Sequence, residues 1–181
     1  DHDFPTVQFP MIRALIADDH AIVRVGLTQL IDAQSDMEVA AEAESGTQVL
    51  DLVHEQDFDI VVLDVSMPGL NGVDALQRLR VTKPELPVLI LSGFSEKQYA
   101  YNLMRSGANG YLSKESPSDE LLKAIRMVAA GRKYVSAELA QSMVQDILDN
   151  PNGKPLHASL SEREFQIFCK LAGGTSVSHI A

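Results

Sequence analysis

Residues 59–72 read DIVVLDVSMPGLNG. An apolar run, Ile60–Leu63, stops on the carboxylate Asp64; a Ser-Met-Pro-Gly turn follows at 66–69, and a helical pattern opens at Gly72. Four apolar residues in a row, without alternation, are what a strand shows when both faces of its sheet are covered. The Pro-Gly pair marks its end. The same unit recurs outward in both directions. β-prone runs fall at Arg13–Ala17, Glu38–Ala43, Val88–Leu91 and Gly110–Leu112. Helical patterns lie between them, at about His20–Ala33, Thr47–His54, Gly72–Arg80, Glu96–Arg105 and Pro117–Ala130. In the first helix Ile22, Val25 or Gly26, and Gln29 or Leu30 read as a one-sided apolar stripe. Capping signals agree: Ser45 with Gln48, and Ser116 before Pro117 with Asp119 behind. Strands alternating with helices imply an α/β domain, a five-stranded parallel sheet wound doubly with helices on both faces.

After Gly131 the pattern changes. Ser136–Leu148 reads as one amphipathic helix with Leu139, Met143, Val144, Ile147 and Leu148 as its stripe. The polar, proline-bearing DNPNGKPLH at 149–157 is a linker. A further helix opens at Ser161, with Glu164 completing a capping box, and ends at Gly173-Gly174. The organisation expected is a leader at 1–10, an α/β domain at 11–131, a helical linker at 132–158 and an incomplete helical unit at 159–181.

Composition narrows the function. Of 181 residues 45% are hydrophobic, enough for a packed core, and the net charge of -10 leaves no basic face to grip nucleic acid unaided. The single cysteine, Cys169, excludes an internal disulfide and suits a reducing compartment. The longest apolar runs fall far short of the roughly 20 residues that span a bilayer. The N-terminal apolar stretch Met11–Ala17 is broken by Asp18, Asp19 and His20, so it is no signal peptide. A cytoplasmic protein without a membrane partner is expected.

Chemistry gathers at strand ends. In a doubly wound sheet, ligands sit beyond the carboxyl ends of the strands where strand order reverses. Asp18 and Asp19 follow the first strand, Asp64 ends the third, Ser92 the fourth, and Lys114 lies just past the fifth. In the order 2-1-3-4-5 all of them converge. Singly, each has an ordinary structural use, as a helix cap, a turn residue or a solvated lysine; their joint occurrence points to a site. Like charges about 4 Å apart cost roughly 4 kcal/mol at an effective dielectric near 20. A divalent cation relieves that repulsion, and an oxygen-only set suits Mg²⁺. Such a pocket would neutralise a phosphoryl group, with aspartate as nucleophile.

The segments ALIADDH, DIVVLDVSMPGLNG, PVLILSG and GANGYLSK resemble the successive landmarks of the response-regulator receiver domain, over about Met11–Gly131. The resemblance implies the flavodoxin-like order 2-1-3-4-5, with Asp64 as phosphoacceptor. It implies that Asp19 ligates Mg²⁺ with Asp18 assisting, and that the Ser66 carbonyl is a further ligand. Ser92 takes the switch-hydroxyl position, Tyr111 the aromatic switch and Lys114 the family's lysine. Many receivers carry a cis proline directly after that lysine; here Glu115 follows, and a cis bond would cost about 2.5–4 kcal/mol, so none is expected. Phe94, two residues beyond Ser92, places a ring near the mouth of the site and is expected to slow hydrolysis of the phosphorylated form. LSEREFQIFCKLAGGTSVSHIA, residues 160–181, resembles the opening of the LuxR-type helix-turn-helix domain of the NarL/FixJ class. The implied protein takes phosphoryl groups from a sensor histidine kinase, forms a homodimer when phosphorylated and binds promoter DNA through its complete C-terminal domain to control transcription. No DNA-contacting residue is identifiable. Three other readings stand beside this one. A haloacid dehalogenase-type phosphatase needs a second Asp two residues past the nucleophile, where Ser66 stands. A nucleotide-binding flavodoxin-like module needs a Gly-rich loop after the first strand. A binding module with a vestigial pocket needs no complete acidic set.

Overall fold

The computed structural model describes residues 10–93 and 97–149. The elements run β1 (Ile12–Ala17), α1 (Ala21–Asp32), β2 (Met37–Ala43), α2 (Gly46–Glu55), β3 (Ile60–Leu63), α3 (Gly72–Thr82), β4 (Val88–Ser92), α4 (Lys97–Arg105), β5 (Gly110–Ser113), α5 (Ser118–Ala129) and α6 (Ala137–Asp149). Phe94, most of the leader and the helix expected at Ser161 lie outside the described residues.

The sheet is parallel throughout, with the order β2-β1-β3-β4-β5. Its register sets the site. Ala17 pairs with Leu63, Leu63 with Ile90, and Ser92 with Ser113, so β1 and β3 end level with each other and β4 and β5 end level two residues further on. Alternate side chains divide the core. Ile16, Val62 and Leu89 face α1 and α5, meeting Leu27, Ile31 and Ile125. Leu15, Leu63 and Ile90 face α2, α3 and α4, meeting Val49, Leu76 and Leu103. All four residues of β3 are buried, which is why its sequence shows no alternation.

Three local expectations need correction. Helix α1 does not bury Ile22 and Val25, which are 88% and 55% exposed; it buries Arg24, Leu27 and Ile31. Both rows are helically spaced, and a charged residue in the true one disguised it. Helix α5 starts one residue later than its cap signal suggested: Pro117 is the N-cap, without a side-chain cap. In α6 the stripe splits, with Leu139 and Met143 packed on the α4 side and Val144 and Leu148 exposed. The capping signal at α2 holds: Ser45 Oγ accepts from the Gln48 amide at 3.3 Å, while Gln48 Oε1 accepts from the Glu44 amide at 2.7 Å.

Two arginines tie loops to helices away from the carboxyl ends. Arg80 of α3 donates to the carbonyls of Gly107 (2.7 Å) and Leu86 (2.9 Å) and to Asn109 Oδ1 (2.8 Å). Arg126 of α5 forms a two-pronged pair with Asp36, at 2.7 and 3.0 Å, and this holds the Asp36 carboxyl below its ordinary value. The outer edge of β5 is covered by Tyr134, whose carbonyl accepts from the Tyr111 amide at 3.0 Å and whose amide donates to the Asn109 carbonyl at 3.0 Å.

Candidate functional site

Parallel pairing of β1 with β3 continues past the strands: the Asp64 amide donates to the Ala17 carbonyl at 2.9 Å. That bond sets Asp64 beside the turn that carries Asp18 and Asp19. Both Asp18 and Asp64 are almost fully buried, 1% and 2% exposed, a costly position for carboxylates without compensation. Lys114 supplies it. Its amide donates to the Ser92 carbonyl at 2.7 Å, anchoring the residue to the end of β4. Its Nζ then lies 2.5 Å from Asp18 Oδ2 and 3.2 Å from Asp64 Oδ2. Asp64 Oδ1 accepts from the Ser66 amide at 3.1 Å.

The turn after Asp64 is tightly closed. Asn71 caps α3, its Oδ1 accepting from the Asp74 amide at 3.0 Å, and the Gly72 amide donates to the Val65 carbonyl at 3.2 Å. A Cβ on Gly72 would sit 2.2 Å from the Asp64 carbonyl oxygen, so only glycine allows this approach.

Burial pushes the Asp64 carboxyl above its ordinary value, with the charge of Lys114 as the main opposing influence and Asp18 adding to the rise. Desolvation pulls the Lys114 ammonium down, but the hydrogen bond to Asp18 and the field of Asp64 outweigh it, and the net shift is upward. Three carboxylates against one ammonium leave two formal negative charges, the complement of a divalent cation. Asp64 Oδ2 is also buried without a hydrogen-bond partner, Lys114 serving it only as an ion pair. Oxygens of Asp18, Asp19 and Asp64 and a ring nitrogen of His20 all fall within 4.8 Å of one another. The residues present fit a hard divalent ion.

Of the expected site residues, Asp18, Asp19, Asp64, Lys114 and the Ser66 backbone come together. Ser92 is fully buried at the end of β4, next to Lys114 through the backbone. Tyr111 is 6% exposed and faces the α4 side. It forms one wall of a cavity of about 240 Å³ shared with Ala100, Ser116, Glu120 and Leu139. No described peptide bond is cis.

Two neighbours of the acidic turn escaped the sequence reading. His20, the N-cap of α1, places Nδ1 3.0 Å from Asp18 Oδ1 and 3.1 Å from Asp19 Oδ1. Arg24, one turn on and 8% exposed, donates to the Asp18 carbonyl at 2.6 Å and to Glu44 Oε1 at 2.8 Å, bracing the acidic turn from behind. The signal for Arg24 was a charged residue inside an otherwise apolar helical row.

The response regulator receiver domain model matches residues 14–126. The oxygen regulatory protein NreC of Staphylococcus aureus (strain bovine RF122 / ET3-1) is 37% identical over 176 residues, covering 94% of this chain and 81% of that protein. The structure of a LuxR-family two-component response regulator from Aurantimonas sp. SI85-9A1 is 33% identical with a TM-score of 0.71, covering 76% of this chain and 99% of that one. The receiver domain of the putative response regulator NarL from Mycobacterium tuberculosis is 31% identical with a TM-score of 0.64, covering 68% of this chain and 99% of that one. With its sheet order, its acidic crevice and these likenesses, the chain belongs to the response regulators of two-component systems, among relatives of the NreC, NarL and LuxR type.

Proposed function

We propose that Asp64 accepts a phosphoryl group from the phosphohistidine of a sensor histidine kinase, and that the resulting change controls dimerisation and promoter binding through a C-terminal helix-turn-helix unit. The observation that carries this is a buried carboxylate whose Oδ2 lacks a hydrogen bond and faces a fixed ammonium 3.2 Å away. An Asp64 oxygen attacks phosphorus while the N–P bond of the donor breaks and its electron pair returns to the imidazole. The aspartyl phosphate that forms carries added negative charge and strong acceptor oxygens. Lys114 meets that charge, and Ser92, at the end of the neighbouring strand, offers a hydroxyl to it. Asp19, Asp64 and the Ser66 carbonyl would hold Mg²⁺, with Asp18 in support; when bound, the ion neutralises charge on the transferring group.

The segmentation proposed with this function is a receiver at 11–131, a helical linker at 132–158 and the beginning of a LuxR-type domain at 159–181. Tyr111 couples the site to the α4 face and the α6 linker, so phosphorylation biases a two-state equilibrium of that face. The protein acts as a stoichiometric acceptor in the cytoplasm, since Ser66 stands where a dehalogenase-type phosphatase carries its second aspartate. No described helix is long and apolar enough to cross a membrane.

Incubation with Mg²⁺ and acetyl phosphate tests the proposal. Intact mass gains one phosphoryl group in the parent and none in Asp64→Asn. Steady release of phosphate without an accumulating adduct would overturn the acceptor role.

A further inference from the structure

The acidic turn is closed by a nitrogen donor that the expected oxygen-only set does not include. His20 is held there twice: its amide donates to Asp18 Oδ1 at 2.8 Å, and its Nδ1 faces Asp18 and Asp19 at 3.0 and 3.1 Å. Donors bound side by side on an ion at about 2.1 Å stand about 3.0 Å apart, which matches both separations. The ring side chain is 62% exposed, so it packs into nothing that would stop a small turn toward an ion. Asp64 contributes a carboxylate oxygen to the same cluster, and its buried Oδ2 lies 3.2 Å from the Lys114 ammonium. Three carboxylates and an imidazole are no longer a set that favours only hard ions. Imidazole adds little to Mg²⁺ binding and more to that of first-row transition metals, least at Mn²⁺ and increasingly toward Ni²⁺, Cu²⁺ and Zn²⁺.

We propose that His20 is a direct nitrogen ligand for transition-metal divalent cations in the pocket of Asp18, Asp19 and Asp64. The inference rests on that pocket being the cation site of the proposed function. With Mg²⁺, which keeps its waters, the ring stays a hydrogen-bonding neighbour of the carboxylates. With Mn²⁺, Co²⁺ or Zn²⁺ it replaces one water. The metal preference of the pocket is therefore set by residue 20 as well as by the carboxylates.

Mn²⁺ is the probe, bound to the untagged full chain and read by pulsed electron paramagnetic resonance. The parent shows nitrogen modulation from a ligated imidazole, and His20→Ala lacks it. The same substitution weakens Mn²⁺ about tenfold or more while Mg²⁺ affinity, measured by calorimetry, changes far less. A melting temperature equal to the parent's shows that the exposed ring was not holding the fold. Mn²⁺ that binds the parent without nitrogen modulation, or equal weakening of both ions, overturns the ligand role and reduces His20 to a hydrogen-bonding brace. Mn²⁺ binding that survives Asp19→Asn unchanged overturns the pocket itself as the cation site, and the ligand role with it.

Discussion

Gly72→Ala puts one methyl group against the backbone of the phosphoacceptor. The added Cβ would lie 2.2 Å from the Asp64 carbonyl oxygen, 2.6 Å from Val65 Cα and 2.9 Å from the Asp64 carbonyl carbon. Relief needs a separation of about 1 Å, and neither partner is a side chain that can rotate away. The start of α3 is fixed by Asn71, and Asp64 is fixed by its bond to Ala17. Overpacking costs about 1–3 kcal/mol, and the rigidity of both partners places this case at the upper end. At about 2–4 °C per kcal/mol, the melting temperature falls by roughly 6–12 °C. A displacement of about 1 Å at a reacting group costs on the order of 10²-fold in rate, so phosphorylation by acetyl phosphate slows far more than stability alone explains. Thermal melts and a time course of intact mass measure both effects. Gly26→Ala is the control: it lies exposed in α1 with nothing within 4 Å of the new methyl, and gains about 0.5–1 kcal/mol. Parental melting and parental phosphorylation in Gly72→Ala would refute the reasoning.

Other outcomes follow from the same contacts. Lys114→Met leaves Asp18 and Asp64 buried without their cation, so the metal-free protein loses about 2–4 kcal/mol while Mg²⁺, no longer competing with an ammonium, binds more tightly by calorimetry. Arg80→Ala removes the hydrogen bonds to the Gly107 and Leu86 carbonyls and to Asn109 Oδ1, which keeps only the Val88 amide, and costs about 2–4 kcal/mol by denaturant melts; Arg80→Lys recovers little of it because the fork is lost. The Asp36 carboxyl is held below its ordinary value of 3.8 chiefly by the Arg126 hydrogen bond, so the pair stabilises the fold above that pH and stops doing so as pH falls through the lowered folded value. Both side chains are more than a third exposed, so Asp36→Asn costs at most about 1 kcal/mol at neutral pH, and its stability curve merges with the parent's in acid.

The doubly wound parallel sheet and the polar groups at its strand ends were legible from long-range regularities, while the strand order that makes those groups converge came from the resemblance to receiver domains. The unbroken apolar runs of β3 and β4 mark central strands, and polar residues fall where each strand ends. What escaped was local. Ile22 and Val25 read as a core stripe since spacing alone cannot separate two apolar rows on one helix. Arg24 settles the choice by binding the Asp18 carbonyl, a partner invisible in sequence. Val144 and Leu148 continue the apolar row of α6 but remain exposed, because only the Leu139 and Met143 side meets α4. His20 read as an interruption of an apolar run; its role emerges only when the turn folds its ring back onto Asp18 and Asp19.

The central claim concerns which of three neighbouring carboxylates bears the phosphoryl group. Borohydride reduction of the phosphorylated protein converts an aspartyl phosphate to homoserine, and peptide mass spectrometry then locates it. The account predicts homoserine at residue 64 alone. Homoserine at 18 or 19, or phosphate on a serine or histidine instead, would contradict it.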